Sequence, residues 1–454
     1  MRKIVVKKGL DIPLSALPSR PLQSFSKPSL ISLNLTPFED LRFKLLVQEG
    51  GEVKIGTQLL ENKAIPGQFF VSPASGVVKE IRRGPKRLLR DIVIETSKQE
   101  SYQEHGGINI DKASQEEIVA YLLRTGLFAH IRMRPFDLIA HPKHSPRAIF
   151  VKACESLPYV PSAEMQIERE EESFQIGLRA LQKLTMTKVY LVFNENTTCK
   201  ALLEADGVEK WMVSGPHPSA NSSVHIHHIA PILDAEDVVW TLSALDVVIL
   251  GKMVEKGRYH VDRVISMAGE GILEENRGYF RTQMGIPIAS LLSAQVPNIS
   301  VRLISGDPLT GNQVNESDFL NFFHTAFTAI PENTRREPFH FLRLGLNKYS
   351  AHRAYLTGHI KSSKKEFSFT TNQHGEERAF IDGSIYDKVM PMKIPTMYLV
   401  RAILAEDFDL AQKLGLLEVS SEDFALSTFI CPSKIEMVGI VKKGLAAYSR
   451  ELGF

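Results

Sequence analysis

Cysteine is nearly absent from this chain. Cys154, Cys199 and Cys431 are the three in 454 residues, far apart and without a C-x-x-C pair. That spacing excludes the cysteine frameworks of iron–sulfur clusters and zinc ribbons, and an odd, sparse set of thiols suits a reducing compartment. An excess of one charge is lacking too: 54 basic residues face 52 acidic ones, for a net charge of +2. Nucleic-acid-binding domains show a stronger basic excess, so no nucleic-acid partner is expected. A long clean apolar run is also missing. The longest, Val238 to Val254, is broken by Asp246 and Lys252 and falls short of the roughly 18–20 residues a membrane span needs. No apolar stretch follows Arg2, Lys3, Lys7 and Lys8, so no signal peptide is expected.

What is present is ordinary globular composition, 43% hydrophobic and 23% charged. At about 150 residues per domain the length predicts about three domains. The organisation read from pattern is a β domain over 1–98, a Rossmann-like α/β domain over 99–255, a β-grasp (SLBB-like) domain over 256–330, and a mixed then helical region over 331–454. In the first, Thr96 to Gly107 reads as a polar linker after the strand around Asp91–Glu95. Ser114 with Glu117 forms a capping box before the apolar face Ile118, Tyr121, Leu122. Strands are predicted at Ala148–Val151 and Val189–Phe193, and a helix at Phe174–Leu184. A further helix is predicted at Val238–Leu245 with a strand at Val247–Leu250; such alternation implies a parallel sheet. Val261–Ala268 and Val301–Ser305 read as strands and Ile288–Leu292 as a short helix. Asp409–Leu414 reads as a helix stopped by Gly415, and Lys434–Glu451 as a terminal helix.

The most informative stretch is Val47 to Ile81. Short alternating-apolar strands are punctuated by Gly50, Gly51, Gly56 and Gly76, around the segment S-P-A-S-G-V-V. The pattern resembles the barrel-sandwich fold of lipoyl and biotinyl carrier domains. Lys63 lies where such carriers bear a modified lysine, but Ile65-Pro-Gly67 disturbs that turn, and an ordinary surface lysine is the plainer reading.

Nine stretches, in order along nearly the whole chain, extend the likeness. They are Lys7-Lys-Gly-Leu-Asp-Ile-Pro13, the 47–81 hairpins, Gly126 to Phe136, Ser214-Gly-Pro-His-Pro218 with His225-Ile-His227, and Asp262-Arg-Val264. Arg302–Gly306 with Leu309-Thr-Gly311, Glu377–Phe380, Val389-Met-Pro-Met392 and Thr428–Pro432 complete the set. Together they resemble the A subunits of the Na⁺-translocating NADH:quinone oxidoreductases (Na⁺-NQR). The framework also resembles the C subunits of Rnf complexes and the flavin-bearing subunit of respiratory complex I. In that flavin-bearing protein a Gly-rich loop cradles phosphate; here Phe128, His130, Ile131, Arg132, Met133 and Arg134 fill the equivalent stretch.

The resemblance implies a peripheral subunit on the cytoplasmic face of the bacterial inner membrane, supporting ubiquinone reduction coupled to Na⁺ export and not catalytically active alone. It implies no cofactor or metal in this subunit. FAD, FMN, riboflavin, iron–sulfur centres and NADH would sit in other subunits of the complex. Those subunits, chiefly an integral membrane one, and ubiquinone are the implied partners. Two alternatives are a soluble flavin-dependent NADH dehydrogenase subunit, which would be yellow when pure, and a carrier-domain protein.

No catalytic residue is identified. Arg132, Arg134 and Phe136 are the sharpest candidates: two cations at alternate positions beside an aromatic ring suit a quinone headgroup, an acidic partner or lipid headgroups, or are plain surface charge. Pro135 holds Arg134 extended, so both arginines are expected to project the same way. His217, in the rigid Gly215-Pro-His-Pro218 loop, lines a ligand cleft or is a structural turn. His225 and His227 would share a strand face, but no further pair of metal ligands is visible. Arg82, Arg83, Lys86, Arg87 and Arg90 form a basic run, a solvated face or one that attracts anionic lipid.

Overall fold

In the computed structural model the described residues are 1–292, 299–333, 339, 342, 344–355, 359, 366–374 and 376–454. The mixed then helical region expected over 331–454 therefore falls partly outside them. Four sheets organise the described residues. The 47–81 region forms hairpins as its pattern predicts. Phe43–Leu45, Gln58–Asn62 and Phe69–Val71 make a three-stranded sheet, and Leu30–Asn34, Leu89–Thr96, Gly76–Arg83 and Glu52–Val53 a four-stranded one. Gly76 is required there: at φ 154° its Cα lies so close to the next strand that a Cβ would stand 1.9 Å from the Glu95 carbonyl oxygen.

The central sheet has seven strands, in the order Arg2–Val5, Glu209–Ser214, Lys188–Asn194, Ala148–Ala153, Val239–Ser243, Arg132–Arg134, Leu138–Ile139. The first five run parallel, and the last two antiparallel to their neighbours. From Ala148–Ala153 the chain adds two strands on one side, then returns to the other with Val239–Ser243. That reversal is the switch point of a Rossmann-type sheet. On one face the helices Glu171–Thr185 and Ala244–Lys256 pack backbone to backbone. A Cβ on Gly251 would lie 1.7 Å from the Ser173 oxygen, and one on Gly177 2.1 Å from the Val247 oxygen. The other face carries Ser222–Ile229 and the C-terminal helices Thr396–Leu404, Phe408–Lys413, Ala425–Ile430 and Met437–Leu452, sharing a core with Phe150, Tyr190 and Val224. The third unit is a six-stranded mixed sheet, to which Arg20–Ser24 adds an edge strand.

Most sequence-predicted elements appear where expected: the Ser114 capping box with buried Ile118, Tyr121 and Leu122, the strands Ala148–Ala153, Lys188–Asn194, Asp262–Ala268 and Val301–Ser305, and Gly415 at φ 97°. Four readings are corrected. The helix predicted at Val238–Leu245 is the strand Val239–Ser243, and the strand predicted at Val247–Leu250 lies inside the helix Ala244–Lys256. A run buried on all sides has no periodicity to separate the two. The boundary was nonetheless written in the residues: Ser243 Oγ accepts from the Asp246 N–H at 3.2 Å, and Asp246 Oδ2 accepts from the Ser243 N–H at 2.8 Å. His225 and His227 lie on the helix Ser222–Ile229, so they do not share a strand face. The polar stretch 96–107 is no free linker. Its backbone must be paired where it is covered, and Ile55 N bonds Ser101 O at 3.0 Å while Gln103 N bonds Ile55 O at 2.8 Å.

Candidate functional site

The Arg-x-Arg segment is a sheet strand. Arg132 pairs with Thr241 on one side and Ile139 on the other. Phe136 (φ 76°) and Asp137 (φ 55°) then turn the chain back through the left-handed region, which folds the Asp137 carboxylate under both guanidinium groups. Arg132 Nη2 lies 3.1 Å from Asp137 Oδ2, and Arg134 Nε 3.4 Å from Oδ1. Both arginines therefore project the same way, as the extended backbone predicts. Burial pushes the Asp137 carboxyl up, but Arg132 and Arg134 outweigh it and hold it below the usual carboxylate range.

The three residues differ sharply in what they can reach. Arg134 is 3% exposed, and its Nη1 donates to Ser223 Oγ at 3.1 Å while Nη2 lies 3.8 Å from Glu422. It ties the sheet to the C-terminal segment. Phe136 is also 3% exposed and packs against Tyr448 and Phe454, ring centroids 6.0 and 5.1 Å apart. The apolar face expected beside the arginines is therefore turned into the core. Arg132 keeps 27% of its side chain exposed and stacks over Phe323, 5.8 Å from the ring centroid. Phe323 belongs to an aromatic cluster with Phe322 and Phe38. Sequence reasoning missed Asp137 and Phe323. The first was legible in R-M-R-P-F-D; the second is far from Arg132 in the chain and only folding brings it there.

Under the strand lies a buried relay. His130 Nδ1 faces Asp246 Oδ1 at 2.8 Å and His130 Nε2 faces the Tyr259 hydroxyl at 2.7 Å. An Nδ1–H donating to the carboxylate leaves Nε2 to accept from the tyrosine. Burial pushes Asp246 up, but the His130 and Ser243 bonds hold it below the usual range. Phe128 fills the same stretch against Trp240, ring centroids 5.6 Å apart. Side chains thus fill the stretch from Leu127 to Arg134.

At the switch point the chain leaves Ala153 as Cys-Glu-Ser-Leu-Pro, with no glycine. Glu155 Oε1 accepts from the Ser156 and Leu157 N–H groups at 2.9 and 3.0 Å. A phosphate would use such donors; the protein's own carboxylate already holds them. His217 sits beside this turn, its Nδ1 3.0 Å from Ser156 Oγ and its Nε2 buried without a partner. Burial lowers its pKa to about 4, so the ring is neutral. The other histidines have separate partners: His225 Nε2 bonds Ser219 O at 2.9 Å, His227 Nδ1 bonds Glu418 at 2.6 Å, and His228 Nδ1 bonds Val224 O at 2.8 Å. Among the described residues no group of His, Cys, Asp or Glu has the makings of a metal site. Lys63 is exposed on the turn after Gln58–Asn62.

Three family models match the chain. They are described as the NqrA N-terminal barrel-sandwich hybrid domain over residues 4–97, the NqrA second alpha/beta domain over 113–259, and the NQRA C-terminal domain over 264–316. Curated relatives match end to end. The A subunit of the Na(+)-translocating NADH-quinone reductase of Chlamydia caviae is 40% identical, covering 99% of this chain and 98% of its own. The Chlamydia pneumoniae protein of the same name is 38% identical over 99% and 98%. That of Tolumonas auensis is 35% identical over 99% and 100%.

Proposed function

This chain belongs to the family of A subunits of the Na⁺-translocating NADH-quinone reductases, and from that premise we propose that it is a peripheral subunit serving ubiquinone reduction. It is a subunit of an oxidoreductase complex, so its partners are the other subunits. Among the described residues no helix is long and apolar enough to cross a membrane. In our reading the chain docks at the cytoplasmic face on an integral membrane subunit. An isoprenoid tail prefers the bilayer, so the chain meets the quinone headgroup only while docked.

The observation that carries the quinone reading is the partly exposed Arg132 guanidinium stacked over Phe323. A flat ring for stacking beside a cationic donor for a carbonyl oxygen is what a quinone headgroup offers partners for. Arg134 and Phe136, buried beside it, then act as its frame, while His217 is buried against Ser156 at the switch-point turn. The flavins, iron–sulfur centres and NADH belong to other subunits in this reading. The filled 126–134 stretch and the Glu155 carboxylate on its own N–H donors support that assignment.

The test is Arg132→Ala in the assembled complex. Loss of a charged hydrogen bond to ligand costs about 1.5–3 kcal/mol, so the apparent quinone KM should rise roughly 10- to 100-fold while NADH oxidation by an artificial acceptor stays unchanged. Unaltered quinone kinetics and inhibitor affinity would remove Arg132 from the reaction. Stoichiometric flavin absorbance in the purified chain would overturn the cofactor assignment.

A further inference from the structure

The tip of the hairpin Gly76–Arg83/Leu89–Thr96 carries Arg83-Gly-Pro-Lys-Arg-Leu88, with no acidic residue between Ile81 and Arg90. The five cations of this segment divide into two sets. Arg82 and Arg90 clamp the base of the hairpin to the third unit: Arg82 Nη1 donates to Ser317 O at 2.6 Å and its guanidinium lies 5.3 Å from the Phe319 ring, while Arg90 Nη2 bonds Asp318 Oδ1 at 2.6 Å. Arg83, Lys86 and Arg87 are exposed and have no carboxylate partner among the described residues; Arg83 donates to the Arg87 carbonyl at 3.1 Å. Leu88 stands 42% exposed beside them.

The backbone adds an independent observation. Lys86 (φ 53°) and Arg87 (φ 60°) both occupy the left-handed region, where glycine or asparagine would fit with less strain. Two long cations thus stand at the tip in a conformation that L side chains rarely adopt. The clamp also fixes where the tip points. The segment that grips its base, 317–319, continues to Phe323, on which Arg132 stacks.

We infer that this tip is a contact for an anionic lipid surface, with Arg83, Lys86 and Arg87 at the headgroups and Leu88 at their apolar boundary. The inference rests on the reading of the chain as membrane-peripheral. Three unpaired cations with one exposed leucine suit a lipid bilayer, which presents negative headgroups over apolar chains. A protein partner would present a fixed pattern of carboxylates instead.

The test uses the purified full chain and flotation with vesicles of pure phosphatidylglycerol or pure phosphatidylcholine. Binding to the first and not the second is expected, weakening with salt. The triple variant Arg83→Ser, Lys86→Asn, Arg87→Gly removes the charge while easing the turn. It should lose roughly a hundredfold in partition, at about 1 kcal/mol per cation and 1.4 kcal/mol per factor of ten. Quinone reduction by the detergent-solubilised complex should be unchanged in this variant, whereas Arg132→Ala should still float. No binding by the wild-type chain, equal binding to both vesicles, or undiminished binding by the triple variant each overturns the inference without touching the quinone reading. If the triple variant instead fails to join the other subunits, the tip is a protein contact and the lipid assignment is wrong.

Discussion

Replacing Arg134 by Ala should damage the protein far more than replacing Arg132, although both guanidinium groups share one carboxylate. Arg134 is 3% exposed and reaches Asp137, Ser223 and Glu422. Breaking a buried charge network by removing one partner costs about 3–5 kcal/mol. Two features reduce that here. Asp137 keeps Arg132 at 3.1 Å, and Lys152 still faces Glu422 electrostatically. The expected loss is therefore about 2–4 kcal/mol. The Arg132 pair is partly exposed, and exposed pairs contribute less than about 1 kcal/mol. Urea unfolding of the purified chain separates the two. With a slope of about 3 kcal/mol/M, Arg134→Ala should lower the midpoint by about 1 M and Arg132→Ala by less than about 0.3 M. Equal midpoints would refute the division between a framing and an exposed arginine. A larger loss at Arg132 would reverse it and would confound the quinone kinetics of that variant.

Two further outcomes follow from the same geometry. Tyr259→Phe leaves His130 Nε2 buried without the 2.7 Å hydroxyl, so stability should fall by about 1–3 kcal/mol, read by thermal or urea unfolding; an unchanged midpoint would mean the relay is slack. Burial pushes the Glu422 carboxyl, ordinarily at 4.5, up to about 7. The folded state therefore keeps a proton the unfolded chain has lost, and this group's contribution to stability is complete below about pH 4.5, declines towards pH 7 and is flat beyond. Glu422→Gln should abolish that decline, and a pH–stability curve identical to wild type would show that the carboxyl titrates normally.

What the amino-acid sequence makes legible is whatever is encoded locally. Turn glycines and alternation placed the barrel hairpins, because a strand's period and a turn's φ requirement are written within a few residues. The Ser114 cap and the Gly415 stop mark helix ends by side-chain hydrogen bonding and left-handed backbone. Ordered motifs along the whole chain carried the family, because nine separate matches in sequence order need no knowledge of contacts. Local pattern failed at Val238–Val254, where burial on every side erases periodicity. It failed also for what long-range pairing decides. The first strand, Arg2–Val5, lies beside Glu209–Ser214, and Arg20–Ser24 beside Gly278–Gln283. Tertiary structure alone sent Arg134 and Phe136 inward and left Arg132 at the surface against Phe323. Which member of an alternating pair meets solvent depends on what packs over the sheet, here Glu422, Ser223 and Tyr448. None of these is near Arg132 in the chain.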